Sequence, residues 1–306
     1  MNGRNKAMPS ATSPADGGMP LHTLRASMLV TVKGYWTDAV GYQRFLYLAG
    51  SLLLLSAAFH AVVLLVTGGS LSGDVSWRKP ILFGEAFGLT ALTVAWVMTF
   101  LPKRNFSGWL LGGTLGVANV GEVFWVALQQ WRGVPSHFNN NTPFDAAAFA
   151  AAGFLISLAG LVILIVTLQT FLSLQASPSL AWAIKIGLLL LIAAQVFGAL
   201  MIMRGGNTTG PAGAMKVPHG LALHAPQVLL GLAWLLTFTK LGEGRRTGVI
   251  AIASAGYVLL VAVSAYQSLT GLAPLQLSLG LGLVVMAGAV GIVYSYLTAL
   301  LSLKTT

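Results

Sequence analysis

Eight long apolar runs separated by short polar stretches account for most of the 306 residues, and they restrict the chain to one kind of fold. A helix needs about 20 consecutive apolar residues to cross the hydrocarbon of a bilayer. In that solvent only helices and closed barrels satisfy their own backbone hydrogen bonds. The runs lie at about 45–66, 80–101, 107–130, 145–172, 179–203, 217–239, 247–269 and 274–301. Hydrophobic residues make up 56% of the chain and charged residues 8%, against about 25% charged in a soluble domain. The expected fold is an all-α, polytopic membrane helix bundle with about eight transmembrane helices. Residues 1–40 are expected to form a disordered or interfacial tail, irregular to about residue 27, and 41–306 a single transmembrane domain. No cleaved charged-then-apolar leader is expected at the start, because the first apolar run begins near Phe45 and is long enough to span uncleaved.

The formal charge of +10 does not point to nucleic acid, because the Lys and Arg residues are scattered at the ends of apolar runs, where lipid head groups meet them. An even number of spans puts both termini on one side. That side holds Arg25, Lys33, Arg44, Lys103, Arg104, Lys240, Arg245, Arg246 and Lys304, against Arg78, Lys79, Arg132, Arg204 and Lys216 on the other. The positive-inside rule then places both termini in the cytoplasm and the longer loops, near 67–79, 131–144 and 204–216, on the outer face. With no cysteine, disulfides, thiolate-held clusters and zinc–thiolate sites are excluded, so any metal must rest on His, Glu, Asp or Asn.

The polar residues inside the spans are few and point to function. Lys216-Val-Pro-His-Gly-Leu-Ala-Leu-His-Ala-Pro-Gln227 opens the sixth span and carries His219 and His224, with Pro226 able to kink the helix beside His224. Asn119, Glu122 and Gln129 fall within about 80° of one another on the third span, a stripe that must face the bundle interior. Ser254, Tyr257, Ser264 and Ser268 form a similar stripe on the seventh. His60, Glu85, Glu122 and His224 share one layer, roughly 8–12 Å below the outer ends of four different helices. His219 and the loop residue His137 lie above it. Lys185 lies near the inner end of the fifth span, where it can snorkel to the interface.

Mixed carboxylate and imidazole ligands suit a divalent transition metal, so the leading expectation is a Zn, Fe, Mn or Cu site held by His60, Glu85, Glu122, His219 and His224. Glu122, Glu85 and His137 are its candidate acid–base groups, with His137 on a loop, Arg132 to Asp145, that can close as a lid. The chemistry would be redox or hydrolytic, on a lipid-soluble or periplasmic small molecule. A haem between His60 and His224, serving electron transfer, is one alternative. A permease or sensor that binds substrate or protons in the same layer is another, and a satisfied network that only fixes helix packing is the plainest. Gly112 with Gly116, and Gly288, Gly291 and Ser295, mark close helix contacts, either within the chain or in a homo-oligomer. No internal repeat stands out.

Trp77-Arg-Lys-Pro80 with Phe83-Gly84, Arg132-Gly-Val-Pro-Ser-His-Phe-Asn139 with Thr142-Pro-Phe-Asp145, and Pro218-His219 with Leu223-His-Ala-Pro-Gln227 together resemble a group of uncharacterised multi-pass bacterial membrane proteins. The resemblance covers most of the chain and implies a bacterial cytoplasmic (inner) membrane, but no activity. The size is similar to haem A synthase, without its Glu-x-x-His-Arg motif. Ser56-x-x-x-His60 followed by a distal histidine pair resembles the seven-helix zinc amidohydrolases related to alkaline ceramidase and adiponectin receptors, with the pair here spaced differently and one helix more.

Overall fold

The computed structural model describes residues 21–303, so the first twenty residues of the expected tail and Lys304 lie outside the described part. Among the described residues eight helices are long and apolar enough to cross a membrane, and the chain is a polytopic all-α bundle. The short helix α1 (Leu21–Thr37) precedes them. The spans are α2 (Gly41–Thr67), α3 (Arg78–Phe100), α4 (Asn105–Trp131), α5 (Pro143–Ser173), α6 (Pro178–Met203), α7 (Lys216–Leu236), α8 (Glu243–Leu269) and α9 (Leu279–Leu301). A two-residue hairpin, β1 (Thr208–Thr209) with β2 (Gly213–Ala214), is the sole sheet among the described residues.

Local chemistry sets the helix ends. The Thr142 hydroxyl accepts the Asp145 N–H at 3.1 Å just ahead of Pro143, and Ser278 accepts the Leu281 N–H at 3.3 Å. Both satisfy amides that a helix start leaves unpaired. Pro178 needs no such partner at the start of α6. α7 runs through Pro226 as one helix.

The tail departs from expectation, because the chain is already helical from Leu21. Tertiary packing supplies what the weak periodicity lacks. Leu24 is buried, and the Tyr35 ring meets Trp96 of α3 edge-on at 5.7 Å, while Leu29, Val30 and Trp36 stay exposed. An apolar outer face of this kind suits a helix lying at the lipid interface.

Small residues let the spans approach closely. A Cβ on Gly50 would lie 2.8 Å from the carbonyl oxygen of Gly88, so neither position admits a side chain. The glycines expected to mark contacts are used within the chain: Gly112 and Gly116 pack against Leu46 and Phe45 of α2, and Gly288 against Gly256 of α8. Ser295 donates to the Val249 carbonyl at 3.1 Å. Those faces are therefore not free for a second copy.

The connections sort onto two sides. Thr239 pairs with Leu303, and the Gln175 N–H donates to the Phe100 carbonyl at 2.8 Å, which joins the connections on the side of α1. On the opposite, loop-rich side the Ala212 N–H donates to the Gly271 carbonyl at 3.1 Å.

Packing also exposes an internal repeat that the sequence alone hides. α2 pairs with α3 and α4 with α5, and the same arrangement recurs as α6 with α7 and α8 with α9. In each half the second helix also packs on the third. One constant spacing separates Pro80 from Pro218, Trp96-Val-Met-Thr-Phe100 from Trp234-Leu-Leu-Thr-Phe238, Gln129 from Gln267 and Gly133 from Gly271. It also separates Gly153 and Ser157 from Gly291 and Ser295. The geometry repeats as well as the letters. Gly133 and Gly271 both turn left-handed, at φ 70 and 75. The hydroxyls of Ser157 and Ser295 donate to the carbonyls of Gly153 and Gly291 at 2.7 and 2.8 Å. Displaced by one residue, Gly50 and Gly187 occupy matching places in α2 and α6, and each packs against the helix that follows. The two halves run in the same direction through the membrane, because each contains four spans.

Candidate functional site

α4 turns its polar stripe inward as its periodicity requires, with Asn119 1%, Glu122 3% and Gln129 1% exposed. Asn119 donates its amide to the Phe87 carbonyl of α3 at 3.2 Å, while its own side-chain oxygen has no partner. In Glu122, Oε1 lies 3.6 Å from Nε2 of His137, and the buried Oε2 has no hydrogen-bond partner. Most buried polar atoms are paired, so an orphaned carboxylate oxygen at this depth calls for an explanation.

His137 comes from the loop between α4 and α5, which folds down over α4. The Ser136 hydroxyl meets His137 Nδ1 at 2.9 Å. Phe83 of α3 and Phe149 of α5 wall the ring in, with centroids at 5.3 and 6.3 Å. The next residue, Phe138, takes φ 56. A bulky side chain rarely adopts that left-handed conformation, which costs roughly 1–2 kcal/mol. Its packing on Phe149 at 5.4 Å helps to hold it there, as does the Asn139 amide, which donates to the Pro135 carbonyl at 3.1 Å.

The base of the loop is pinned by ions. Arg132 pairs with Asp145 at 2.6 Å and also donates to the Gln129 side-chain oxygen, while the Gln129 amide donates to Asp145 at 2.9 Å. Thr142 completes the carboxylate's shell by donating to Oδ2 at 2.7 Å. Asp145 is therefore saturated and works as the clamp that sets the loop over Glu122. The imidazole side chain, 26% exposed, links that buried carboxylate to the loop-rich surface.

The other expected site residues do not join this pair. His60 is buried against Trp131 and Trp77, with Nδ1 2.8 Å from the Ser56 carbonyl. A carbonyl only accepts, so Nδ1 carries the proton, and Nε2 accepts the Trp131 indole N–H at 3.1 Å. Both ring nitrogens are engaged, and neither presents a free lone pair. The groove beside it, of about 570 Å³ between α2 and α4, is lined by apolar groups such as Leu52, Phe59 and Phe124. His219 points to α6, with Nδ1 2.8 Å from the Ala194 carbonyl. Glu85 and His224 are partly buried and make no hydrogen bond or ion pair among the described residues.

The expected metal set of His60, Glu85, Glu122, His219 and His224 therefore does not converge. Among the described residues no three His, Asp or Glu side chains gather closely enough to hold a metal ion. The helices that carry His60 and His224 have different main neighbours, since α2 packs on α3 and α4 whereas α7 packs mainly on α6 and α8. Equal depth does not bring groups together when they face different neighbours. Ser136, Phe83, Phe149 and the Trp131 partner of His60 escape the sequence reading. Only the Ser-His pair inside an otherwise Asn-rich loop hinted at the first.

The repeat sharpens what is special about Glu122. Asn119 has a counterpart in Tyr257, whose hydroxyl donates to the Leu221 carbonyl of α7 at 2.8 Å, so binding the preceding helix is a role common to both halves. The position matching Glu122 is Leu260. One half is acidic and the other apolar at the same place. No protein-family model, curated protein or solved structure matches the chain.

Proposed function

We propose that this chain is a permease or sensor of a bacterial cytoplasmic membrane, with its termini inside, in which Glu122 and His137 take up and release a proton from the outer face. The observation that carries this reading is the buried Glu122 carboxylate with one oxygen unpaired among the described residues and the partly exposed imidazole of His137 at 3.6 Å from the other. Burying a carboxylate in a span is costly unless it is paired or protonated, so such residues mark proton and substrate paths. His137 supplies the link to water. A proton passes from Nε2 to Oε1 as Nδ1 takes one up from the side of Ser136, and release runs in reverse. Phe83 and Phe149 pack against the imidazole and hold it beside the carboxylate. Any substrate coupled to this step is a small molecule reaching the site from the outer face or from lipid.

Proton uptake by the detergent-purified chain after an acid pulse tests the reading. Wild type should bind about one more proton per chain than Glu122→Gln, as expected of one titrating carboxyl group. Equal uptake would contradict it. Stoichiometric metal that is lost in Glu122→Gln would instead transfer the pair to metal-assisted chemistry.

A further inference from the structure

The two halves meet where α3 faces α7, and a pocket of about 380 Å³ opens there. Leu92, Thr93 and Trp96 of α3 and Leu230, Gly231 and Trp234 of α7 line it. Each member of the first set is the repeat counterpart of a member of the second, so the pocket lies on the seam of the duplication. Thr93 and Gln227 hydrogen-bond across it at 3.2 Å. Each indole is braced edge-on by the phenylalanine one turn further on, Trp96 by Phe100 at 5.5 Å and Trp234 by Phe238 at 5.0 Å.

The indole N–H groups of Trp96 and Trp234 are both buried, and neither has a hydrogen-bond partner among the described residues. Tyr35 and Val32 of α1 cover this end of the pocket. Burial pushes the Tyr35 phenol above its ordinary pKa, against the opposing pull of the two indoles beside it. The phenol thus stands close to both donors without closing a full hydrogen bond to either. An indole N–H can only donate, and a carbonyl oxygen has two lone pairs with which to accept from two such groups. Below the indoles Leu92, Leu230 and Gly231 line the pocket beside the Thr93–Gln227 pair and give a hydrocarbon body apolar surface to lie against.

We propose that this seam pocket is a second binding site, for a lipid-soluble carbonyl compound whose oxygen accepts from Trp96 and Trp234, with Tyr35 as its displaceable cover. The site is on the terminal side and independent of Glu122 and His137. A quinone head group and a fatty-acyl ester both offer this chemistry at this depth.

Thermal unfolding of the full chain in detergent, with added decylubiquinone or monoolein, tests the proposal. A saturable rise in Tm with either probe is expected, and the probe that gives it identifies the source. Trp96→Phe combined with Trp234→Phe keeps the rings and should weaken binding about tenfold or more by removing both donors. Gly231→Leu, which fills the pocket, should abolish the shift, and Tyr35→Ala should strengthen binding. No shift with either probe in wild type and Tyr35→Ala alike, or an unchanged shift in the double phenylalanine variant, would overturn the proposal. Unchanged binding in Tyr35→Ala would overturn the role of the cover.

Discussion

The carboxylate of Glu122, 3% exposed within α4, and the imidazole of His137, carried by the loop above, stand 3.6 Å apart and join a buried acid to the surface. The two belong to different elements, so the contact depends on how the loop is folded. His137→Ala removes the polar side chain nearest the Glu122 carboxylate and should destabilise the protein by about 1–3 kcal/mol. Thermal melts of wild type and variant in detergent measure this difference.

The clamp at the base of the loop predicts a dynamic effect. Asp145→Ala frees Arg132, Gln129 and Thr142 together. Amide hydrogen exchange should then accelerate across residues 133–142 while the centre of α4 remains protected. Uniform acceleration along the chain would mean that the clamp supports the whole fold and not the loop alone.

His60 is expected to be structural. His60→Ala leaves the Trp131 indole N–H without its acceptor, at a cost of about 1–3 kcal/mol. Proton uptake attributed to Glu122 should be unchanged. A Tm measurement beside the uptake assay separates the two effects.

The contact between Gly50 and Gly88 gives a packing test with an internal control. Gly88→Leu drives a side chain into the backbone of α2, where a Cβ alone would come within 2.9 Å of the Gly50 carbonyl oxygen, and overpacking of this kind costs about 1–3 kcal/mol or more. Gly153→Ala meets nothing within 4 Å and should be neutral or slightly stabilising. Denaturation of both variants in detergent compares them directly.

The sequence disclosed the eight spans, because apolar length and the Thr142, Pro143, Pro178 and Ser278 start signals are local. It also disclosed that Asn119, Glu122 and Gln129 face inward, since one helical period fixes their common side. That His60, Glu85, Glu122 and His224 do not meet was not legible. Depth along a helix follows from residue number, but the direction each side chain faces depends on which helix lies beside it. His219 turns to the Ala194 carbonyl of α6 and His60 to the Trp131 indole for that reason. The repeat escaped because its matches are few and widely scattered among residues common in any membrane span. Pro80 with Pro218 and Trp96 with Trp234 become meaningful only when their helices are seen to hold matching places.

Infrared difference spectroscopy of the purified chain, stepped from neutral to acid pH, observes the Glu122 carboxyl group itself. A buried acid that takes up a proton should produce the carbonyl-stretch band of a protonated carboxyl group, absent from Glu122→Gln. Identical spectra for wild type and Glu122→Gln across that range would contradict a proton-binding role for Glu122.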